Sequence, residues 1–169
     1  AQALNLNESG IHTVVGLRKN SDRKSIVEKD GLQYTSINNL VTSSDIISIL
    51  IPDSEIPELF KNIAKLLKKN QTILFAHGYV VVNNEIEIPD YINVIMVAPS
   101  GGGAVVRSEY KKGFGVPALI AIEQDFSSGS MNLALSYSKA IGATKAAAFI
   151  STFKEEVETD LFGEQVVLT

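Results

Sequence analysis

Five carboxylates fall within ten positions near the end of the chain, from Glu155 to Glu164. They belong to the stretch Phe153-Lys154-Glu155-Glu156-Val157-Glu158-Thr159-Asp160-Leu161-Phe162-Gly163-Glu164-Gln165, which threads apolar residues between them. On a helix, Asp160 and Glu164 are four apart and share a face. Two oxygen ligands on adjacent turns suit a hard divalent cation such as Mg2+. The other reading is an acidic helix face turned to water, as charge runs usually are. His77 is a second candidate. It follows the apolar run Thr72–Ala76 and precedes Gly78, where an imidazole serves either as a catalytic acid or base or as a hydrogen-bonded structural residue. His12, early in a strand, reads as structural. The third candidate is the basic loop from Arg18 to Lys24, in which Arg18, Ser21 and Arg23 surround the lone acid Asp22. It reads as a phosphate-gripping loop or as a solvated basic one. No Ser-His-Asp ordering stands out, and H-E-x-x-H is absent from the sequence.

These residues need elements to hold them. Ala1 to Gly10 reads as a helix already under way, with Gly10 as its stop. Ile11–Leu17 is a β-rich run. The basic loop leads into a helix ending near Gly31, then an extended piece (Leu32–Thr35) and a short helix (Ile37–Val41). Asp45–Ile51 is almost continuously apolar and stops at Pro52-Asp53, as a strand buried on both faces does. Ile56–Lys69 carries a helical stripe of Leu59, Phe60, Ile63, Leu66 and Leu67. Thr72–Ala76, Ile92–Ala98 and Pro117–Ile122 read as strands, Met131–Ile141 as a helix, and Lys145–Ile150 as a last strand before the acidic helix. Strands alternating with helices predict a doubly wound, parallel α/β sheet.

In such sheets ligands bind beyond the carboxyl ends of the strands. Those ends carry Arg18, Ser21, Pro52-Asp53, His77-Gly78 and Pro99-Ser100-Gly101-Gly102-Gly103. A dinucleotide-binding unit also needs a glycine-rich turn after its first strand. This chain shows neither that strand nor that turn, and Gly101-Gly102-Gly103 comes too late to be it. The triple glycine either brings backbone close to a ligand or makes a flexible loop. At the end of the second strand of such a fold, an acid favours NAD, whereas Arg and Ser favour a 2′-phosphate.

Composition narrows the class. The 169 residues suffice for one domain with a real core, and 45% hydrophobic with 20% charged content is ordinary for a globular protein. A net charge of −4 gives no electrostatic case for nucleic acid or an anionic membrane. There is no Cys, hence no disulfide or thiolate metal site. No run is long and apolar enough for a membrane span, and no signal peptide is recognisable. A soluble, cytoplasmic domain is expected.

Several segments resemble ketol-acid reductoisomerase, also called acetohydroxyacid isomeroreductase. They are Ala1–Leu6, Val15-Gly16-Leu17-Arg18, Phe75-Ala76-His77-Gly78, Val94-Ile95-Met96-Val97-Ala98-Pro99, Gly115-Val116-Pro117-Ala118-Leu119-Ile120-Ala121 and Thr159-Asp160-Leu161-Phe162-Gly163-Glu164-Gln165. They occur in order and with compatible spacing over essentially the whole chain. The resemblance implies a Rossmann-like NADPH-binding domain over residues 1–150, lacking its first strand and glycine-rich turn. Residues 151–169 would be an acidic metal-binding helix leading towards an absent all-helical second domain. It implies an enzyme of branched-chain amino-acid biosynthesis that converts 2-acetolactate or 2-aceto-2-hydroxybutyrate to a 2,3-dihydroxy acid by alkyl migration and reduction. NADPH and Mg2+ are the implied cofactors.

Carried over by position, His77 is catalytic and Asp160 and Glu164 bind the metal. Arg18, Ser21 and Arg23 grip the 2′-phosphate, while Pro52, Asp53 and Gly78 flank the cofactor. The implied partners are a small 2-hydroxy-2-keto acid and further copies of the protein, joined through the second domain. The fragment alone is expected to be inactive. The chain departs from the family where it reads Ala98-Pro99-Ser100-Gly101-Gly102-Gly103-Ala104 in place of Ala-Pro-Lys-Gly-Pro-Gly-His. It also has Tyr79-Val80-Val81-Val82 where the family carries Asn and His. A 2-keto-acid reductase of the same fold and a non-catalytic nucleotide-binding homologue are the alternatives.

Overall fold

The central strands are buried on both faces, and this explains their unbroken apolar runs, whereas the strands towards the edges are partly exposed. The computed structural model describes residues 1–167, with side chains described through Gly163. The first half runs α1 (Gln2–Glu8), β1 (Val14–Leu17), α2 (Lys24–Lys29), β2 (Gln33–Ser36), α3 (Ile37–Ser43), β3 (Ile46–Ile49) and α4 (Ile56–Ile63). The second half runs β4 (Thr72–Phe75), α5 (Tyr79–Val82), β5 (Asn93–Pro99), α6 (Gly103–Lys111), β6 (Ala118–Gln124), α7 (Ser130–Ala140), β7 (Ala148–Ile150) and α8 (Phe153–Val167). α1 stops where expected: Gly10 takes φ +84°, a left-handed conformation that costs glycine nothing.

Two ladders form. β1 and β2 pair in parallel, and β3-β4-β5-β6-β7 make a five-stranded sheet. Within the larger sheet, alternate residues serve opposite layers. Ile73 and Phe75 of β4 pack with Ile47, Ile49, Phe60 and Ile63, whereas Leu74 between them joins Leu6, Ile120, Tyr137 and Ile141 on the other side. Both faces of β4 and β5 are therefore sealed by apolar layers. At about 25 cal/mol per Å2 of apolar area, these layers are the main source of stability.

The sheet departs from a purely parallel one at one pair: β5 and β6 run antiparallel, with Pro99 opposite Ala118. The connection explains it. α6 packs on α1, and the chain returns to the same end of β5, where Ser100 N–H donates to the Pro117 carbonyl at 2.8 Å. A return at the same end makes an antiparallel pair, whereas a parallel one needs a crossover. α6 and α5 have no counterpart in the sequence reading, since neither shows a long apolar stripe. The helix expected over Ile56–Lys69 is shorter, ending as a 3-10 turn at Ala64–Leu66.

Candidate active site

The beginning of α8 is fixed by reciprocal capping. Glu155 N–H donates to Thr152 Oγ1 at 3.0 Å, and the Glu155 carboxylate accepts from Thr152 N–H at 3.2 Å. This is the T-x-x-E capping box, which ties down two backbone donors that would otherwise lack partners. With the start set, Phe153, Glu156, Val157 and Asp160 share one stripe by their spacing. Phe153, Glu156 and Val157 are buried. Phe75 at the end of β4 meets Phe153 edge-on, with ring centroids 6.4 Å apart. Gly78 permits this approach. A Cβ there would lie 2.9 Å from the Phe153 carbonyl oxygen and 3.1 Å from Val157 Cγ2.

The docking brings acids onto His77. Glu156 Oε1 lies 2.9 Å from His77 Nδ1, and Oε2 accepts from Gly78 N–H at 2.9 Å. A carboxylate only accepts, so Nδ1 carries a proton, and Nε2 is the ring nitrogen on the side of Asp53. Asp53 Oδ2 is 3.7 Å from Nε2, and Asp160 Oδ2 is 3.8 Å from Nδ1. The Tyr79 ring stacks on the imidazole at 6.3 Å. The hydrogen bond His77 donates to Glu156 is the largest cause raising the His77 pKa above its ordinary value; burial opposes it, and the charges of Glu156, Asp53 and Asp160 add to it. Asp53 is also raised, first by burial and then by the nearby charges of Glu156 and Asp160, against the opposing effect of His77.

His77 and Asp53 line a cavity of about 400 Å3 at the carboxyl ends of β3 and β4. Its apolar wall includes Ile49, Leu50, Ile51, Ile56, Phe75 and Ala76; Ala1, Gln2 and Gly103 complete it. An apolar cleft with a few convergent polar groups at this end of an α/β sheet is where such folds take small ligands.

The sequence candidates divide into two groups. His77, Gly78, Asp53 and Asp160 come together. Arg18 and Ser21 sit at the end of β1, where Ser21 N–H donates to the Arg18 carbonyl at 3.1 Å and Ser21 Oγ accepts from Arg23 N–H at 3.2 Å. Pro52 precedes the 3-10 turn Asp53–Glu55. That turn links the groups: Asp53 faces His77, while Glu55 pairs with the Arg18 guanidinium. Glu164 lies on α8, but its side chain falls outside the described residues. Asp160 offers a half-exposed carboxylate, the hard donor Mg2+ takes. Among the described residues no three His, Asp or Glu side chains are grouped to hold a metal ion, so the metal fit is partial.

Residues 1–147 match the family model described as acetohydroxy acid isomeroreductase, NADPH-binding domain. This chain belongs to that family. Its relatives include a ketol-acid reductoisomerase (NADP(+)) of Methanocaldococcus jannaschii, 46% identical over 169 residues, covering 99% of this chain and 51% of the relative. The Pyrococcus abyssi protein of the same name is 44% identical, again over 99% of this chain and 51% of its own length. Among solved structures, an NADH-preferring ketol-acid reductoisomerase from an uncultured archean superposes with a TM-score of 0.94 at 37% identity, covering 98% of this chain and 52% of that one. The chain thus spans about half the length of the relatives it matches, and its Rossmann-like, mostly parallel fold is that of the reductoisomerase N-terminal domain. No helix among the described residues is long and apolar enough to cross a membrane.

Sequence reasoning missed two acids, Glu156 and Glu55. Glu156 was legible in principle: the capping box sets the helix start, and Phe153 and Val157 mark the inward face that Glu156 shares. Glu55 left no signal, because its contact lies across the gap between two ladders.

Proposed function

We propose that this chain is the dinucleotide-binding half of a ketol-acid reductoisomerase acting on 2-acetolactate or 2-aceto-2-hydroxybutyrate, with NADPH and Mg2+. The observation that carries the reading is His77 held between Glu156, Asp53 and Asp160 at the mouth of the cavity. When bound, NADPH supplies a hydride and Mg2+ supplies Lewis acidity towards the hydroxyl and carbonyl oxygens. The chain does the rest. Glu156 fixes the orientation of His77 and favours its protonated form, so Nε2–H can donate to a substrate oxygen gaining negative charge. Asp53 balances that cation and, with Pro52 and Gly78, shapes the cofactor side. Arg18, Ser21 and Arg23 hold the 2′-phosphate. Asp160 and Glu164 contribute metal carboxylates to a ligand set that residues beyond these complete.

Domain roles follow the same reading: residues 1–150 bind the cofactor, and α8 leads towards the second domain. In support, Phe149 and Ile150 of β7 and Leu161 and Phe162 of α8 are exposed apolar side chains, of the kind another domain would cover. Oligomerisation through that domain and a cytoplasmic location rest on the family alone.

One observation favours a second reading, reduction of a 2-keto acid without migration. Ser100, exposed after β5, stands where the family has a lysine. The test is turnover by the protein expressed from its complete gene, supplied with acetolactate, Mg2+ and NADPH. A 2,3-dihydroxy acid product, abolished in His77→Gln, is expected. Oxidation of NADPH with simple 2-keto acids but not with acetolactate would establish the second reading.

A further inference from the structure

Among the described residues, one ion pair bridges the two ladders at this edge of the sheet. Arg18, just after β1, donates from its guanidinium to the carboxylate of Glu55, in the turn after β3. β1 and β3 belong to separate ladders. The backbone fixes the acid's place, for Glu55 N–H donates to the Pro52 carbonyl at 2.9 Å. Neither side chain is buried: Arg18 is 68% exposed and Glu55 42%. Exposed pairs of this kind add little to stability, so the contact need not be kept for folding.

Its position gives it another use. At this strand end an arginine takes the 2′-phosphate of an NADP cofactor, whereas an acid takes the 2′-hydroxyl of NAD. The loop from Arg18 to Arg23 supplies the first kind of group; Glu55 brings the second kind to the same place from a different element. We propose that Glu55 sets cofactor choice: its carboxylate competes with the 2′-phosphate for Arg18 and accepts a hydrogen bond from the 2′-hydroxyl of NADH. Preference for NADPH is thereby held below what Arg18, Ser21 and Arg23 would give alone. The 2′-phosphate carries up to about two negative charges at neutral pH. A carboxylate beside it repels it and occupies its arginine. The inference rests on the dinucleotide-binding reading above and deepens it.

The test is fluorescence titration of NADPH and NADH into the protein expressed from its complete gene, as wild type, Glu55→Gln, Arg18→Gln and the double variant. Glu55→Gln should tighten NADPH about three- to tenfold and leave NADH unchanged or weaker, the gain shrinking as salt screens the charges. The gain should vanish when Arg18 is also replaced. Glu55→Ser, which shortens the side chain and likewise removes the charge, should behave as Glu55→Gln does. An equal change for both cofactors, or no change, overturns the inference while leaving dinucleotide binding intact. A wild-type protein that binds neither cofactor would sink both.

Discussion

Glu156 holds His77 and the backbone beside it with one carboxylate, Oε1 at 2.9 Å from Nδ1 and Oε2 at 2.9 Å from Gly78 N. Both oxygens are used on one short segment, and the residue is only 5% exposed. A buried carboxylate is tolerated when it is fully hydrogen-bonded to a cation or to N–H groups. The helix that carries Glu156 and the strand that ends at His77 are thus joined by polar contacts as well as by Phe75 and Phe153.

Replacing Glu156 by Gln keeps the shape and removes the charge. The Glu156 hydrogen bond is the chief cause of the raised His77 pKa, so that pKa should fall in Glu156→Gln. NMR titration of the imidazole ring protons reads this directly; an unmoved titration would contradict the assigned contact. Glu156→Ala should go further, because it leaves Gly78 N–H unpaired, at about 1–3 kcal/mol of unfolding free energy.

The same shift makes stability depend on pH with a definite sign. The folded His77 pKa lies above the ordinary 6.5. The contribution is therefore fully present below pH 6.5 and is lost as pH rises through the folded value. Urea unfolding of wild type and His77→Gln across pH isolates it. The stability gap between the two should be widest in acid and should narrow towards alkaline pH. A gap that widens with pH would mean that the acids around His77 do not favour its charged form.

The α/β order was legible because β3, β4 and β5 read as unbroken apolar runs and the helices between them as stripes. Gly10, Pro52 and Gly78 marked boundaries that the structure keeps. What escaped had local patterns too weak or contacts too distant. α5 is four residues long, too short for a periodic signal. The reversal of β6 depends on where α6 returns the chain, which no strand pattern encodes. Asp160 was singled out by its spacing from Glu164, yet the acid that grips His77 is Glu156, which only the apolar residues sharing its face could have marked.

Gly78 is where strand end and helix approach most closely. Gly78→Ala would place a methyl 2.9 Å from a backbone oxygen of Phe153, which a side-chain rotation cannot relieve. α8 should move outward, costing about 1–3 kcal/mol as overpacked sites do. The displacement should also loosen the Glu156 contact, so His77 should titrate at a lower pH. Wild-type stability together with an unchanged His77 titration would refute this account of the close approach.

Asp160 can be tested for metal binding without relying on turnover. Its Oδ2 lies 3.8 Å from His77 Nδ1, so a cation held by Asp160 would sit close to the imidazole. A dication there disfavours the imidazolium. In the protein expressed from its complete gene, adding Mg2+ should therefore lower the His77 pKa. Asp160→Asn removes a charged oxygen ligand while keeping the side-chain shape, so a much higher Mg2+ concentration should be needed for the same shift. Part of the His77 elevation comes from Asp160 itself, so the variant should start from a lower pKa before any metal is added. A wild-type His77 that ignores saturating Mg2+ would remove Asp160 from the metal set. A variant that responds at wild-type concentrations would assign the metal to other ligands.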